Sequence, residues 1–402
     1  MLEVKNNTNK LKRVLTLPMM VFYGLGTMVG AGIYVLIGKV GGEAGLYLPL
    51  AFLIAGFIAL FTALSYAELS SRYPLSAGAA LYIEKAWGLS SLSRVTGWML
   101  VLTGVVSAAT MAHGFAGYLQ VFFSVPQFAA IIIFVLIIGV MAAWGIQESA
   151  VLIVLITLVE LLGVMFVIAV GATGESIVSL SDLPPLSGDV GFSLLVAGFL
   201  AFYAFIGFED MVNVVEEVKA PERTMPLAII ISISVCTGLY IILAIAAIRT
   251  LPLSALTQSD APLADLVSAK GFSPTWIGVV SLIAVLNGAL VQVIMASRVL
   301  YGMAVQALAP AMFENVHPRT RTPIIATSWV VALVLVFALL LPLIQLAKLT
   351  SFIILIIFAG VNISLIRIKR MNTADYSGAV YPVWVPAVGT VLCLLLLGAQ
   401  AV

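Results

Sequence analysis

Charge is what this sequence has least of. Only 9% of its 402 residues are Asp, Glu, Lys or Arg, where a soluble domain carries about a quarter. The formal net charge is +1, and no basic tract is present to follow a phosphate backbone, so nucleic-acid binding is excluded. Cysteine is nearly absent too. Cys236 and Cys393 lie far apart inside apolar runs, which rules out a metal motif or a disulfide framework and leaves both as small hydrophobes. There is no GxxxxGK[ST] loop with which to use ATP. Also missing are the nucleophile–base set or metal cluster of an intramembrane enzyme and the pore loop or charged ring of a channel; a solute-binding membrane sensor stays as an alternative, one that would usually bring a cytoplasmic signalling domain.

What the sequence has in excess is apolar surface. Hydrophobic residues make up 62% of it, more than a water-soluble fold can bury. They recur in runs of about 20, enough to cross a hydrocarbon core roughly 30 Å thick as helices. Helix is the expected form because it satisfies its own backbone in lipid. The runs predict eleven spans, near 14–38, 47–70, 92–122, 127–145, 150–171, 192–217, 226–248, 274–306, 322–341, 345–366 and 382–402. The basic segment Met1 to Arg13 precedes a first run too long and too glycine-interrupted for a cleaved signal peptide, so that run is expected to stay as a membrane helix. A cytoplasmic N-terminus puts fifteen of the nineteen Lys and Arg on that side, leaving Lys39, Arg249, Lys270 and Lys348 on the other, as the positive-inside rule requires. Val402 then falls outside, and because the chain stops within an apolar run, a twelfth helix beyond it fits the pattern. The expectation is one transmembrane domain over 1–402 in the cytoplasmic (inner) membrane. It divides into a first repeat at about 14–171, a second at about 192–366 and an extra helix at about 382–402.

Two spans differ from the rest. The first holds Gly24, Gly26, Gly30, Gly32 and Gly38, each lowering helix propensity by about 1 kcal/mol. The sixth holds Ala204-Phe205-Ile206-Gly207-Phe208-Glu209-Asp210, and carboxylates at membrane depth need a polar cavity or a partner. Both are expected to be broken helices. They open two sets of five spans, and breaks at corresponding positions of two halves point to a midplane substrate site. Close helix packing is the alternative use of Gly30 and Gly32.

The run Gly26-Thr27-Met28-Val29-Gly30-Ala31-Gly32-Ile33-Tyr34 resembles the first-helix motif of the amino acid–polyamine–organocation (APC) superfamily. Matches continue in order: Tyr66-Ala67-Glu68-Leu69 with Arg72, Pro74, Gly78 and Tyr82; Gly207-Phe208-Glu209; Glu216 through Pro226; Ser297-Arg298-Val299-Leu300-Tyr301; and His317-Pro318-Arg319 ahead of Arg321-Thr322-Pro323. The resemblance covers most of residues 14–326. It implies an all-α membrane protein with a five-plus-five inverted-repeat, leucine-transporter-like fold of about 11 transmembrane helices, helices 1 and 6 broken, moving an amino acid by alternating access. It also implies that amides of Gly30, Ala31 and Gly32 meet the substrate carboxylate, and that carbonyls of Tyr203, Ala204 and Ile206 meet its α-amine. Elementary electrostatics agrees, since a helix N-terminus attracts an anion and free carbonyls attract an ammonium. Exchange of an amino acid or polyamine for a related product is the alternative within the superfamily.

Tyr203 matches the superfamily's aromatic gate, or is an ordinary core aromatic. Thr27 either bonds the substrate or caps the broken helix. Ile33, Val105, Phe205 and Val285 or Leu286 are candidate walls by depth. With no acid in spans three, eight or ten to face a cationic side chain, a neutral amino acid is expected. Glu160 stands alone in the fifth span, where relatives carry a lysine in place of a sodium ion; it is read as titrating with transport, ligating sodium, or a hydrogen-bonded structural residue. Glu209 is expected to brace the unwound sixth helix, with a proton role as the alternative. Glu68, Arg72, Glu216, Glu217, Lys219 and Arg223 lie at cytoplasmic helix ends, where they form an inner gate by pairing in the outward-open state or are simply solvated. His113 reads as a core histidine rather than a proton relay, and His317 as part of a turn. No cofactor or metal is expected beyond a coupling ion, H⁺ in preference to Na⁺. The expected partners are the small-molecule substrate and the bilayer, with the protein a monomer or weak homo-oligomer.

Overall fold

Apolar runs flanked by proline, glycine or charge become helices here, and the breaks between helices fall where those residues sit. The computed structural model describes residues 13–30, 32–76, 78–145, 150–179, 182–185, 187–371 and 378–401. Its helices are α1 (Leu17–Val29), α2 (Gly32–Ala44), α3 (Leu48–Arg72), α4 (Gly78–Trp87), α5 (Ser90–Leu119), α6 (Gln127–Trp144), α7 (Ala150–Gly171), α8 (Gly188–Ala201), α9 (Pro221–Thr250), α10 (Leu253–Gln258), α11 (Pro262–Ala269), α12 (Thr275–Val305), α13 (Ile324–Leu340), α14 (Leu343–Arg370) and α15 (Trp384–Ala401). Among the described residues the one β-type pairing outside helices is a bridge between Leu15 and Val218. Eight helical stretches are long and apolar enough to cross a membrane, and Leu17–Val29, Ile324–Leu340 and Trp384–Gln400 are shorter apolar helices. The chain is a multi-pass, all-α membrane protein. Each of the eleven runs read from the sequence contains one or more of these helices. Helices α4, α10 and α11 lie between the runs, too short to leave a span-like signal.

Packing sorts the helices by position. α3 lies along α9, α5 along α12, and α14 along α15. The outer helices turn large apolar side chains outward, among them Phe57, Ile133, Leu136, Leu162 and Leu339, as lipid-facing surface does. Inside, hydroxyls return to their own helix: Thr103 donates to Met99 O at 2.9 Å, Thr110 to Val106 O at 2.9 Å and Ser281 to Ile277 O at 2.7 Å. That back-bonding lets small polar residues sit in an apolar interior without an unsatisfied donor.

The two ends of the bundle are fastened differently. At one, fully buried Glu68 binds Arg72 at 2.7 Å and Lys369 at 2.7 Å and accepts the Tyr381 N–H at 2.9 Å. At the other, Lys39 of α2 donates to Thr257 O at 3.0 Å and Ser259 O at 3.2 Å, with Asp260 at 3.7 Å, drawing the α10–α11 connection onto α2.

Candidate functional site

The first break follows from Gly30 and Gly32. α1 ends at Val29 with Gly30 still donating to Gly26 O at 3.2 Å, and α2 restarts at Gly32. Ala31 lies outside the described residues. The Gly30 amide is therefore committed to its own helix, whereas the first-turn amides of α2 begin a new helix and have no acceptor within it. Glu160 of α7 comes to this break: its Oε1 lies 3.4 Å from where a Gly30 Cβ would be. The carboxylate is fully buried and accepts Asn287 Nδ2 at 3.3 Å, while its carbonyl accepts the Tyr34 hydroxyl at 2.7 Å.

The second break is longer. After α8 the chain makes a 3-10 turn over Phe202–Phe205, runs extended at Ile206, and turns at Gly207 with φ +126° before a 3-10 segment over Phe208–Glu217. That φ suits glycine alone, and a Cβ there would stand 2.6 Å from Thr27 O. Glu209 holds the turn by accepting the Gly207 N–H at 2.9 Å, the bracing expected of it. The Tyr203 carbonyl accepts Ile206 N–H at 3.1 Å and the Ala204 carbonyl accepts the Tyr240 hydroxyl at 3.0 Å. Each carbonyl keeps a second lone pair.

The two breaks meet. Thr27 donates to Gly207 O and to Gly24 O, each at 3.0 Å, and a Cβ on Gly32 would overlap the Ala204 backbone. Tyr203, buried, closes one flank with its hydroxyl 3.0 Å from Ser107 Oγ. Ile33, Val105, Phe205 and Val285 are buried as well. Phe205 faces Tyr240, ring centroids 5.2 Å apart.

Below the breaks, a partly open cavity of about 650 Å³ extends between α1, α4, α5 and α12. Its wall includes Tyr23, Tyr66, Glu84, Glu209, Asp210, Glu217 and Arg298. Asp210 accepts Gln292 Nε2 at 3.1 Å and Asn213 Nδ2 at 3.4 Å. Glu68, Arg72, Glu216 and Lys219 do not line this cavity and do not form one cluster. Glu68 and Arg72 pair with each other within α3, Glu216 accepts Ser76 N–H at 2.9 Å, and the Lys219 N–H donates to Leu15 O at 2.9 Å. His113 sits between Leu341 O at 3.1 Å and Gln127 Nε2 at 3.3 Å, and His317 is in a turn with Thr320. Among the described residues no cluster of three His, Cys, Asp or Glu could hold a metal ion.

Asn287, Gln292, Tyr34 and Tyr240 belong to this site, and sequence reasoning did not single them out. The amides carried a signal: they are isolated polar residues in the otherwise apolar stretch 282–296, and in lipid such residues face partners. The tyrosines carried none, because their partners are backbone carbonyls on other helices.

Comparison with known proteins gives a consistent pattern. The family described as amino acid permease matches residues 14–402. The chain is 29% identical to a mitochondrial cationic amino acid transporter 3 of Arabidopsis thaliana over 93% of its length. It is 28% identical to a branched-chain amino acid permease of Bacillus subtilis over 90% of its length and 82% of the relative's. It is also 28% identical to a methylthioribose transporter of Bacillus subtilis, over 98% and 89%. The chain spans 65% of the Arabidopsis relative. All three relatives are named as transporters or permeases.

Proposed function

The chain belongs to the amino acid permease family, within the APC superfamily, and from that premise we propose that it carries a neutral α-amino acid across a membrane by alternating access. The observation that carries this reading is the meeting of the two breaks, where Thr27 reaches Gly207 O at 3.0 Å and Gly32 lies against Ala204. A zwitterion needs an anion pole and a cation pole a few ångströms apart. The first-turn amides of α2, led by Gly32, supply the first; Tyr203, Ala204 and Ile206 carbonyls supply the second. The superfamily resemblance adds Ala31 to the anion side; Gly30, which it also implies, has its N–H held by Gly26 O at 3.2 Å. The breaks must part to admit a solute.

The cavity on one face and the Lys39 clasp on the other describe a protein open to one side, and we assign the open side to the cytoplasm of a cell whose inner membrane holds the protein. The five-plus-five division at about 14–171 and 192–366 is part of the same proposal. Glu160, against the first break, is assigned the coupling proton, with a sodium ion as the competing ligand and ungated exchange as the competing mode. One observation favours a second reading, a cationic amino acid: Glu84, Glu209, Asp210 and Glu217 line the cavity against Arg298.

Uptake of labelled amino acids by reconstituted vesicles tests both. Transport of small or aliphatic amino acids, with their decarboxylated amines inert, is the expected result. Preferred uptake of lysine or arginine would favour the second reading, and equal uptake of an amino acid and its amine would overturn the two-pole site.

A further inference from the structure

α5 crosses the bundle from the open cavity to the Lys39 end, and its neighbours change along the way. Ser93, Gly97 and Leu100 line the cavity. Ser107, seven residues beyond Leu100 and so about 10 Å further along the helix, is not part of that wall; it meets Tyr203 of the second break. Beyond Ser107 the helix is packed tightly. A Cβ on Gly114 would overlap Val35 of α2, a Cβ on Gly117 would overlap the Asp260 carbonyl, and the Tyr118 hydroxyl donates to Tyr34 O at 2.7 Å. The Tyr203–Ser107 contact thus stands between the open cavity and the shut half of the path. The Tyr203 hydroxyl donates to Ser107 O at 3.2 Å and lies 3.0 Å from Ser107 Oγ. A phenol has one proton, so with that proton on the carbonyl the serine hydroxyl is the donor of the second bond. Tyr203 is 2% and Ser107 1% exposed, which keeps water from competing for either.

We propose that Ser107 is a positioning residue for Tyr203: two hydrogen bonds to one serine hold the phenol against α5 and set how often the site opens away from the cavity. On the transport reading above, on which this rests, a solute passing from the breaks toward Lys39 needs Tyr203 to leave α5, and both bonds break together. Because they exist only while the path is shut, they bias the equilibrium toward the shut form by their own free energy. An aromatic ring without the hydroxyl would fill the same space but be held by packing alone, which is non-directional. Hydrogen bonds add a fixed seat, since they weaken steeply away from their preferred geometry. Tyr203 stands on a 3-10 turn rather than within α8, so it moves with the break, while α5 stays continuous over Ser90–Leu119. One partner is mobile and the other is fixed, as a latch requires.

The test places a reporter in the shut half of the path. Val35, 3% exposed, is replaced by cysteine in the full chain, and alkylation by a membrane-impermeant maleimide is timed in sealed, uniformly oriented vesicles from the side that Lys39 faces. Cys236 and Cys393 are buried, so the chain without Val35→Cys provides the blank. Adding Ser107→Ala to Val35→Cys is expected to speed labelling about two- to tenfold, the loss of one neutral hydrogen bond. Adding Tyr203→Phe is expected to speed it further, because both bonds are lost while the ring remains. The two changes together are expected to match Tyr203→Phe alone, since the serine then has no phenol to hold. An unchanged rate in Tyr203→Phe, an additive rise in the pair, or an equal rise at Cys236 and Cys393, which a general loosening of the fold would give, each overturns the proposal. Labelling needs no solute and amino acid uptake is measured separately, so a failed transport reading and a failed latch are told apart.

Discussion

Removing the Glu68 carboxylate would leave two cations facing each other in a buried space. Glu68 is fully buried. Its Oε1 is shared by Arg72 Nη2 at 2.7 Å, Arg72 Nε at 2.9 Å and Lys369 Nζ at 2.7 Å. Its Oε2 accepts the Tyr381 N–H, and Lys369 also donates to Tyr381 O at 2.6 Å. One carboxylate therefore ties the end of α3 to the end of α14 and to the segment entering α15. Breaking a buried ion pair from one side costs about 3–5 kcal/mol, and the cost in Glu68→Ala lies in that range because both cations lose their counterion together. Unfolding entropy averages about 2.1 cal/mol/K per residue, so for 402 residues each kcal/mol lowers the midpoint by about 1.2 °C. A fall of about 4–6 °C follows. The double variant Glu68→Met/Lys369→Met is expected to recover most of it, since an apolar replacement of a buried pair is near neutral and Arg72 retains a path to solvent at 12% exposure. Melting curves in one detergent, wild type and variants side by side, provide the measurement. A Glu68→Ala midpoint within about 1 °C of wild type would refute the reasoning and show that the three charges are solvated in the working protein.

Two further predictions concern the breaks. Gly32→Ala puts a methyl into the Ala204 backbone, so transport is expected to be lost while the chain still inserts; near-normal uptake would show that the breaks separate more widely in the cycle than this packing implies. Glu160→Gln keeps the shape and can still meet Asn287, so folding is expected to survive while stimulation of uptake by an inward proton gradient disappears and exchange continues. Sodium stimulation at fixed pH, lost in the same variant, would instead assign a sodium ligand, and unchanged responses a structural role.

The outline of this protein was legible in its sequence because lipid makes a one-dimensional demand. A span needs about 20 apolar residues, and that can be read without knowing any neighbour. The order of the runs, the glycine cluster at 24–38 and the carboxylates at 209–210 all have local causes, and the helices fall where the apolar runs lie. Family membership was legible for the same reason, since its motifs are contiguous stretches. Glu209 could be assigned its bracing role because its partner, Gly207, is two residues away.

What the sequence could not determine is which of its polar residues face one another. Glu68, Arg72, Glu216 and Lys219 share a membrane depth, which made a single gate a natural expectation. The structure sends Glu68 to Lys369 and Tyr381, Glu216 to Ser76 and the Lys219 N–H to Leu15. Depth is set by position along a span, but azimuth is set by the packing of every neighbouring helix. Glu160 looked solitary for the same reason: its partners, Tyr34 and Asn287, are 126 and 127 residues away. Hydropathy alone determined how many apolar runs there are and where they fall. Only tertiary packing could bring Thr27 to Gly207 and Asn287 to Glu160, because both depend on contacts between segments that the linear chain keeps far apart.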